Sequence, residues 1–213
     1  LRKNSRSTMF DIKAEPITET ETETETTWDD ISVEGNEIFF STEVNDESIC
    51  YLFKIMRQLE RKLLACTVAC PDYKPEIRLY INSVGGDMFA GFSGHDQMTQ
   101  LRVKVTTIAV GCCASAATFL LLGGHKRLIA PRAHILIHQI ATDGFWGKFE
   151  DLKDEMKNCE KFMKMAKDIY HQHCDIPDKK MKNIMKKDIY LTPKKCVKWG
   201  IVEGILEPKK INY

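Results

Sequence analysis

Short apolar runs alternate with helix-spaced segments along most of this chain, and this alternation constrains the fold more than any other feature of the sequence. An apolar run at 77–82 is followed by the glycine pair 85–86 and by a helical pattern at 89–101. A second run at 103–110 leads through a turn of glycine and cysteine into a predicted helix at 114–122. Strands and helices that alternate at this spacing predict an α/β fold with βαβ-type crossovers and largely parallel strands.

The same periodicities predict elements on both sides of this central region. The further strands are predicted at 37–40, 134–139 and 201–206, and the further helices at 46–66, 148–173 and 194–200. The helix at 148–173 is highly charged and has only one narrow apolar stripe. A helix of this kind often projects from its domain and packs on a partner.

Length and charge restrict the class of protein. The 213 residues are enough for one domain with a substantial core. Lys and Arg number 31 against 30 Asp and Glu, so we expect no bulk electrostatic attraction to nucleic acid or to an anionic membrane. The longest apolar segment, around 114–122, is shorter than the roughly 20 residues that a membrane-spanning helix needs. The sequence therefore predicts a soluble protein.

The first 27 residues differ in composition from the rest. They end in the alternating tract ITETETETETT, which has no apolar face to bury, so residues 1–27 are predicted to be disordered. The opening LRKNSRSTM lacks the apolar region of a secretory signal. A disordered leader is the favoured interpretation, and a transit-peptide remnant or sequence upstream of a start at Met9 are the alternatives. The folded domain is expected over 28–213.

Cysteine usage indicates the compartment. The chain has eight cysteines but no sign of secretion, so reduced thiols in a cytoplasmic compartment are expected, or in an organelle stroma or matrix if a transit peptide preceded the chain. No CxxC pair is present, which argues against a zinc site. His171, His173 and Cys174 are metal-binding residue types, but they end a charged helix and are expected on a solvated surface.

Ser115 is the candidate nucleophile. It lies in GCCASAATFLLLGG (111–124), after a predicted strand and turn and at the start of a predicted helix, where its hydroxyl would lie beside backbone N–H donors. The alternative is that the small residues only allow a helix and a strand to pack closely. A second donor could come from the glycines of NSVGG (82–86). The phosphate-binding patterns GxxxxGK[ST] and GxGxxG do not occur in this sequence, nor does GxSxG.

His138 and Asp188 are the candidate partners of Ser115. His138 ends the predicted strand HILIHQ and could act as a general base, or could be a buried histidine bonded to the backbone. Asp188, in KKDIYLTP, could orient that histidine or cap a turn.

Four segments in this order resemble the ClpP family, the proteolytic subunits of the Clp protease. They are YINSVGGDMFAG (80–91), IAVGCCASAATFLLLGG (108–124), HILIHQ (134–139) and KKDIYLTPKKCVKWGIVEGIL (186–206). The resemblance covers about residues 37–206. It implies a ClpP-like peptidase domain with the crotonase-like fold, a spiral of β-β-α units, in which the helix at 148–173 is the projecting handle.

The resemblance also implies a serine endopeptidase that hydrolyses peptide bonds of unfolded proteins. Ser115 would be the nucleophile, His138 the general base and Asp188 the group that orients the imidazole. The oxyanion hole would consist of the backbone N–H groups of Gly86 and Ala116. The chain order of the triad is then Ser, His, Asp.

The implied partners follow the same family. The chain would assemble into stacked heptameric rings, alone or with a ClpP paralogue, and an AAA+ unfoldase would feed it polypeptide. ATP would be used by that unfoldase, and this subunit would need no cofactor and no metal.

The sequence departs from the family mainly around the substrate groove. Gly85 is the groove residue that matches the family. The bulky Phe145 and Trp146 lie in the segment 144–149 that would line the substrate path. The other departures are Val84 and Ile140, where the family usually has proline, and Ala117 and Thr118, where it usually has glycine and alanine.

Two alternatives to an active Clp-type protease remain. The altered groove motivates the first, a catalytically weak structural subunit of a mixed ring. The divergent N-terminal segment motivates the second, a viral capsid maturation protease of the same fold. Cys113 as the nucleophile is a third, minor alternative.

Overall fold

Seven strands form one sheet in the computed structural model, which describes residues 30–142 and 144–207. The strands are β1 (Ile31–Glu34), β2 (Glu37–Phe40), β3 (Glu76–Ser83), β4 (Lys104–Ala114), β5 (Lys126–Ile129), β6 (His134–Leu136) and β7 (Gly204–Ile205). The helices of the same ranges are α1 (Asp46–Ala69), α2 (Met88–Thr99), α3 (Ala117–Leu122), α4 (Phe149–His173), α5 (Asp178–Ile184) and α6 (Pro193–Lys198). The segment 1–27, predicted to be disordered, lies outside the described residues.

Parallel pairing dominates the sheet. The strand order is β1-β2-β3-β4-β5-β7, and β6 pairs with the last residues of β4. The β1–β2 pair is antiparallel, and every other pair is parallel. The prediction of an α/β fold with largely parallel strands is therefore confirmed. A parallel strand that is covered on both faces has a nearly continuous apolar run in its sequence. Residues 105–109 of β4 are all buried, as expected for such a strand.

Helices α2 and α3 pack closely on each other beside the end of β4. A Cβ atom on Gly94 of α2 would collide with Cδ2 of Leu120, so a side chain there would force the Leu120 side chain to move. Helix α2 starts just after the glycine pair, where the Asp87 side chain accepts the N–H of Ala90 at 2.7 Å. This packing fixes the β3–α2 loop against the β4–α3 turn.

The prediction of a turn at Gly111, Cys112 and Cys113 is wrong, because β4 continues through residues 111–114. The pairing with β3 shifts register after Ile81, and the Asn82 side chain accepts the N–H of Cys112 at 3.0 Å. Strand β6 then pairs with the extension from Cys112 to Ala114. Helix α3 consequently begins at 117 rather than at 114, which leaves Ser115 in the turn between strand and helix.

Other boundaries differ in smaller ways. Strands β1 and β5 were not predicted, and β6 ends at Leu136, so His138 lies beyond the strand instead of ending it. Helix α4 agrees with its prediction within one residue. Its buried residues are Ala166 and Tyr170, both near its C-terminal end, while Phe149 and Met156 near its start are exposed. None of the helices in the described ranges is long and apolar enough to span a bilayer.

Candidate active site

Ser115 has a backbone conformation that residues other than glycine rarely adopt. Its φ is 53°, and in the described part of the chain every other residue with positive φ is a glycine. Such a conformation costs about 1–3 kcal/mol and persists where the surrounding structure over-determines it. The N–H of Ser115 donates to the carbonyl of Leu136 at 2.9 Å, which ties the turn to β6. The turn is therefore strained and firmly held.

The loop after β3 passes directly against Ser115. A Cβ atom on Gly85 would lie 2.6 Å from the Cβ of Ser115 and 2.7 Å from the carbonyl oxygen of Ala114. Gly85 also has a φ of +102°, so both space and backbone conformation require glycine at this position. The carbonyl of Gly85 accepts the N–H of Val44 at 2.8 Å, which holds the loop in place.

The backbone N–H groups of Gly86 and Ala116 lie on either side of the contact between Gly85 and Ser115, and within the described residues both are free to donate a hydrogen bond. The neighbours of Gly86 are bonded to Val44, since Asp87 donates to the Val44 carbonyl at 2.7 Å. The N–H groups of Gly86 and Ala116 themselves donate to no acceptor among residues 30–142 and 144–207. Free N–H groups beside a serine hydroxyl can stabilise a developing oxyanion.

A cavity of about 420 Å³ opens beside these groups. Ser115 and His138 both line it, and so do Gly86, Ala116 and Phe145. Its wall is otherwise mainly apolar and includes Met88, Phe89, Phe119, Phe162, Ala166 and Tyr170. The cavity can therefore accept an apolar side chain next to the serine hydroxyl.

His138 is positioned by the backbone that follows β6. Its neighbour Gln139 donates its N–H to the carbonyl of Met185 at 2.8 Å, and Leu191 donates to the carbonyl of Ile135 at 2.7 Å. These bonds place the 185–191 segment beside β6. The Nδ1 atom of His138 lies 3.5 Å from Oδ1 of Asp188 as a result.

Asp188 differs from His138 in its contact with solvent. The side chain of His138 is 25% exposed and that of Asp188 is 80% exposed. At 3.5 Å the two groups form an ion pair when the imidazole is protonated, but the contact is longer than a strong hydrogen bond. Asp188 does not line the cavity with Ser115 and His138.

The two aromatic residues expected in the groove lie in different places. Phe145 lines the cavity, whereas Trp146 is 93% exposed and is not part of its wall. The bulk of Trp146 therefore does not narrow the cavity in this structure.

The cysteine alternative is unfavourable on physical grounds. Cys113 is completely buried in β4, and its burial raises the pKa of its thiol far above the ordinary value. The reactive form of cysteine is the thiolate, which a raised pKa suppresses. Cys113 is therefore a core residue.

Sequence reasoning missed three contacts, two made by Thr118 and one made by His173. Thr118 lies 2.6 Å from the carbonyl oxygen of Ser115 and 2.6 Å from the hydroxyl of Tyr170. His173 was expected on a solvated surface, but it is half-buried and its Nε2 atom lies 3.0 Å from Nε2 of His95. The packing of the end of α4 onto α2 and β5 explains that difference. Within the described ranges, no three His, Cys, Asp or Glu side chains are grouped as metal ligands.

Comparisons with known proteins identify the family of this chain. The family model for the Clp protease matches residues 22–209. An ATP-dependent Clp protease proteolytic subunit of Deinococcus radiodurans is 30% identical over 177 residues, which cover 81% of this chain and 86% of that protein. Proteolytic subunit 1 of the ATP-dependent Clp protease of Corynebacterium efficiens is 32% identical over 177 residues, which cover 82% of this chain and 81% of that protein. The mostly parallel sheet is consistent with the crotonase-like fold implied by the resemblance. The chain belongs to the Clp protease family.

Proposed function

We propose that Ser115, His138 and Asp188 form the catalytic triad of this Clp-type serine endopeptidase. The observation that carries the proposal is the cavity shared by Ser115 and His138, together with the 3.5 Å contact between His138 Nδ1 and Asp188 Oδ1. Because Nδ1 faces the carboxylate, Nε2 is the ring nitrogen left to take the proton of Ser115.

The proposed reaction follows from these positions. The Ser115 hydroxyl oxygen attacks the carbonyl carbon of a peptide bond while its proton passes to Nε2 of His138. The resulting oxyanion accepts hydrogen bonds from the N–H groups of Gly86 and Ala116. His138 then gives its proton to the departing amine, and water hydrolyses the acyl-serine ester by the same transfers in reverse. Asp188 stabilises the imidazolium in both stages.

Peptide hydrolysis by single variants tests this assignment. Ser115→Ala and His138→Gln should each lower kcat for a short fluorogenic peptide by at least about 10³-fold, because removing one triad member disables the others. Ser93→Ala serves as a control, since Ser93 is an exposed serine of α2 that does not line the cavity. Retention of wild-type kcat by Ser115→Ala would exclude Ser115 as the nucleophile.

The partners are proposed from the family. The relatives are named as ATP-dependent Clp protease proteolytic subunits. This chain would assemble into stacked heptameric rings and receive unfolded polypeptide from an AAA+ unfoldase, which would use the ATP. Exposed apolar side chains on α4, such as Phe149 and Met156, support self-association. The eight cysteines are all free, which supports a reducing, cytoplasmic compartment.

Assembly is tested by native mass measurement of the purified chain. A mass of about fourteen subunits supports the stacked rings, and addition of an unfoldase with ATP should permit cleavage of a folded protein. A stable monomer that cleaves peptides at full rate would contradict this part of the proposal.

The exposure of Asp188 favours a second candidate function. A carboxylate that is 80% exposed and 3.5 Å from its histidine orients the ring less firmly than a buried one. The chain could then be a catalytically weak subunit of a mixed ring that contains an active ClpP paralogue. In that case, the pure chain would hydrolyse peptides slowly, and mixing with the paralogue would restore turnover in which Ser115→Ala changes little.

A further inference from the structure

A chain of hydroxyl groups connects α4 to the main chain of Ser115. Oγ1 of Thr118 lies 2.6 Å from the carbonyl oxygen of Ser115, and the N–H of Thr118 donates to the same oxygen at 3.0 Å. The hydroxyl of Tyr170 lies 2.6 Å from Oγ1 of Thr118. Tyr170 is 52 residues away in sequence, near the end of α4, so this contact joins two distant parts of the fold.

The direction of these hydrogen bonds follows from the groups involved. A carbonyl oxygen can only accept, so Thr118 uses its one hydroxyl hydrogen on Ser115. Tyr170 must then donate its hydrogen to Thr118. Both side chains are buried, and burial raises the pKa of Tyr170, which keeps its phenol protonated and able to donate. Hydrogen bonds arranged in series polarise and strengthen one another.

The carbonyl of Ser115 belongs to the same peptide unit as the N–H of Ala116. Because a peptide unit is planar, a bond that fixes the direction of the carbonyl also fixes the direction of that N–H. Donation to the carbonyl further polarises the N–H at the opposite end of the unit. Ser115 needs this support, since its φ of 53° is strained and its side chain must stay directed at the cavity.

We propose that Thr118 and Tyr170 are positioning residues for acylation, because they hold the peptide unit between Ser115 and Ala116 with its N–H available to the oxyanion. The inference rests on the proposed function, in which Ser115 is the nucleophile and Ala116 supplies an oxyanion donor. Thr118 contacts neither substrate nor the reacting atoms in this account. Tyr170 also lines the cavity, but its hydroxyl bonds to Thr118, and Tyr170→Phe removes that hydroxyl alone.

Substitution of Thr118 tests the first link. Thr118→Val keeps the shape of the side chain and removes the hydroxyl, whereas Thr118→Ser keeps the hydroxyl. We expect kcat for a fluorogenic peptide to fall about 10-fold in Thr118→Val with KM unchanged, since an oxyanion donor loses its orientation. Thr118→Ser should restore most of the lost kcat.

Thr107 offers a matched control within the same helix contact. It is a fully buried threonine of β4, and its Oγ1 donates to the carbonyl of Leu121 in α3 at 2.7 Å. Thr107→Val therefore also removes a buried hydroxyl that bonds to a carbonyl of this region, but that carbonyl belongs to Leu121 and not to the peptide unit that carries the N–H of Ala116. Its kcat should stay near the wild-type value. An equal loss of kcat in Thr107→Val would show that Thr118 has only a structural role.

The second link is tested by Tyr170→Phe and by the double variant. Tyr170→Phe should lower kcat by about 3-fold without changing KM, and the double variant with Thr118→Val should be no slower than Thr118→Val alone, because the two hydroxyls form one chain. If Thr118→Val does not fold, Tyr170→Phe decides alone. An unchanged kcat in Tyr170→Phe overturns the proposal, and so does a change confined to KM, which would instead place Tyr170 in contact with substrate.

Failure of the proposed function is visible separately. If Ser115→Ala still cleaves the peptide, the nucleophile is misassigned and the positioning proposal falls with it. If Ser115→Ala is inactive but Thr118→Val and Tyr170→Phe keep the wild-type kcat, the positioning proposal alone is wrong.

Discussion

The Nδ1 atom of His138 lies 3.5 Å from the Oδ1 atom of an aspartate, Asp188, whose side chain is 80% exposed. Solvent reaches this carboxylate, so water can partly replace it in orienting the imidazole. Asp188→Asn should therefore lower kcat for a fluorogenic peptide by about 10²-fold, which lies within the range for general acid–base catalysis.

Asp178 provides the control for that substitution. Its Oδ1 atom lies 3.5 Å from Nε2 of His171, and its side chain is 82% exposed, so it reproduces the geometry of the proposed pair away from the cavity. Asp178→Asn should leave kcat unchanged. Equal kcat values for the two variants would remove Asp188 from the proposed triad.

Substitution of Gly85 should damage both stability and activity. Gly85→Ala forces a Cβ atom to within 2.6 Å of the Cβ of Ser115, and the residue also has positive φ. Overpacking typically costs about 1–3 kcal/mol beyond the backbone strain. We expect a lower free energy of unfolding in urea and a slower reaction of Ser115 with a fluorophosphonate.

Gly35→Ala separates backbone strain from steric clash. Gly35 has a φ of +61°, but a Cβ atom there would meet nothing within 4 Å. Its substitution should cost about 1 kcal/mol and leave the fluorophosphonate reaction unchanged. If Gly35→Ala slowed that reaction as much as Gly85→Ala, the contact with Ser115 would not be the cause.

The stability of the fold should decrease in mildly acidic solution because of His173. Burial lowers the pKa of His173, and the nearby His95 and Arg127 lower it further. Between the folded pKa and the unfolded value of about 6.5, the unfolded chain binds more protons, so the free energy of unfolding rises with pH there. The stability is therefore complete above about pH 6.5 and declines as the pH falls below it.

The surroundings of His173 determine the appropriate control. Its Nε2 faces His95 of α2 and its Nδ1 faces Arg127 of β5, while Asp96 contacts His95 and Glu203 pairs with Arg127. His173→Gln should flatten the pH dependence measured by urea unfolding, whereas His134→Gln, at an exposed histidine, should not. An unchanged slope in His173→Gln would contradict this origin.

Thiol reactivity should distinguish Cys113 from Cys159. Cys113 is buried and its pKa is raised, so iodoacetamide should leave it unmodified in the native protein. Cys159 lines the cavity, and its alkylation should slow peptide cleavage by filling that space. Cys159→Ala should therefore keep its rate of peptide cleavage after alkylation. Peptide mass mapping identifies which cysteines have been modified. Loss of activity that tracks modification of Cys113 would disagree with this assignment.

The central strands of the sheet could be predicted from the sequence because β4 is buried on both faces over residues 105–109 and β3 is buried at every second position. The runs IRLYIN and VKVTTIAV contain enough apolar and β-branched residues to indicate β3 and β4 without their partners. Strands β1 and β5 were missed because ISVE and KRLI are short and partly charged, and only pairing across the sheet makes them strands.

The local geometry around Ser115 could be predicted only in part. Motif order indicated the serine, the histidine and the aspartate, but the extension of β4 depends on pairing with β6, which small residues do not reveal. Thr118 stood out in sequence only as a departure from the family. Its bond to Tyr170 depends on how α4 returns to the core, and no local pattern in a charged helix contains that information.

Location of a covalent fluorophosphonate adduct by peptide mass spectrometry tests the central claim most directly. A serine paired with a general base beside an oxyanion hole reacts with such a probe, whereas an ordinary serine does not. The adduct is expected on Ser115, with none formed in Ser115→Ala and little in His138→Gln. An adduct on another residue, or an equal yield in Ser115→Ala, would contradict the assignment.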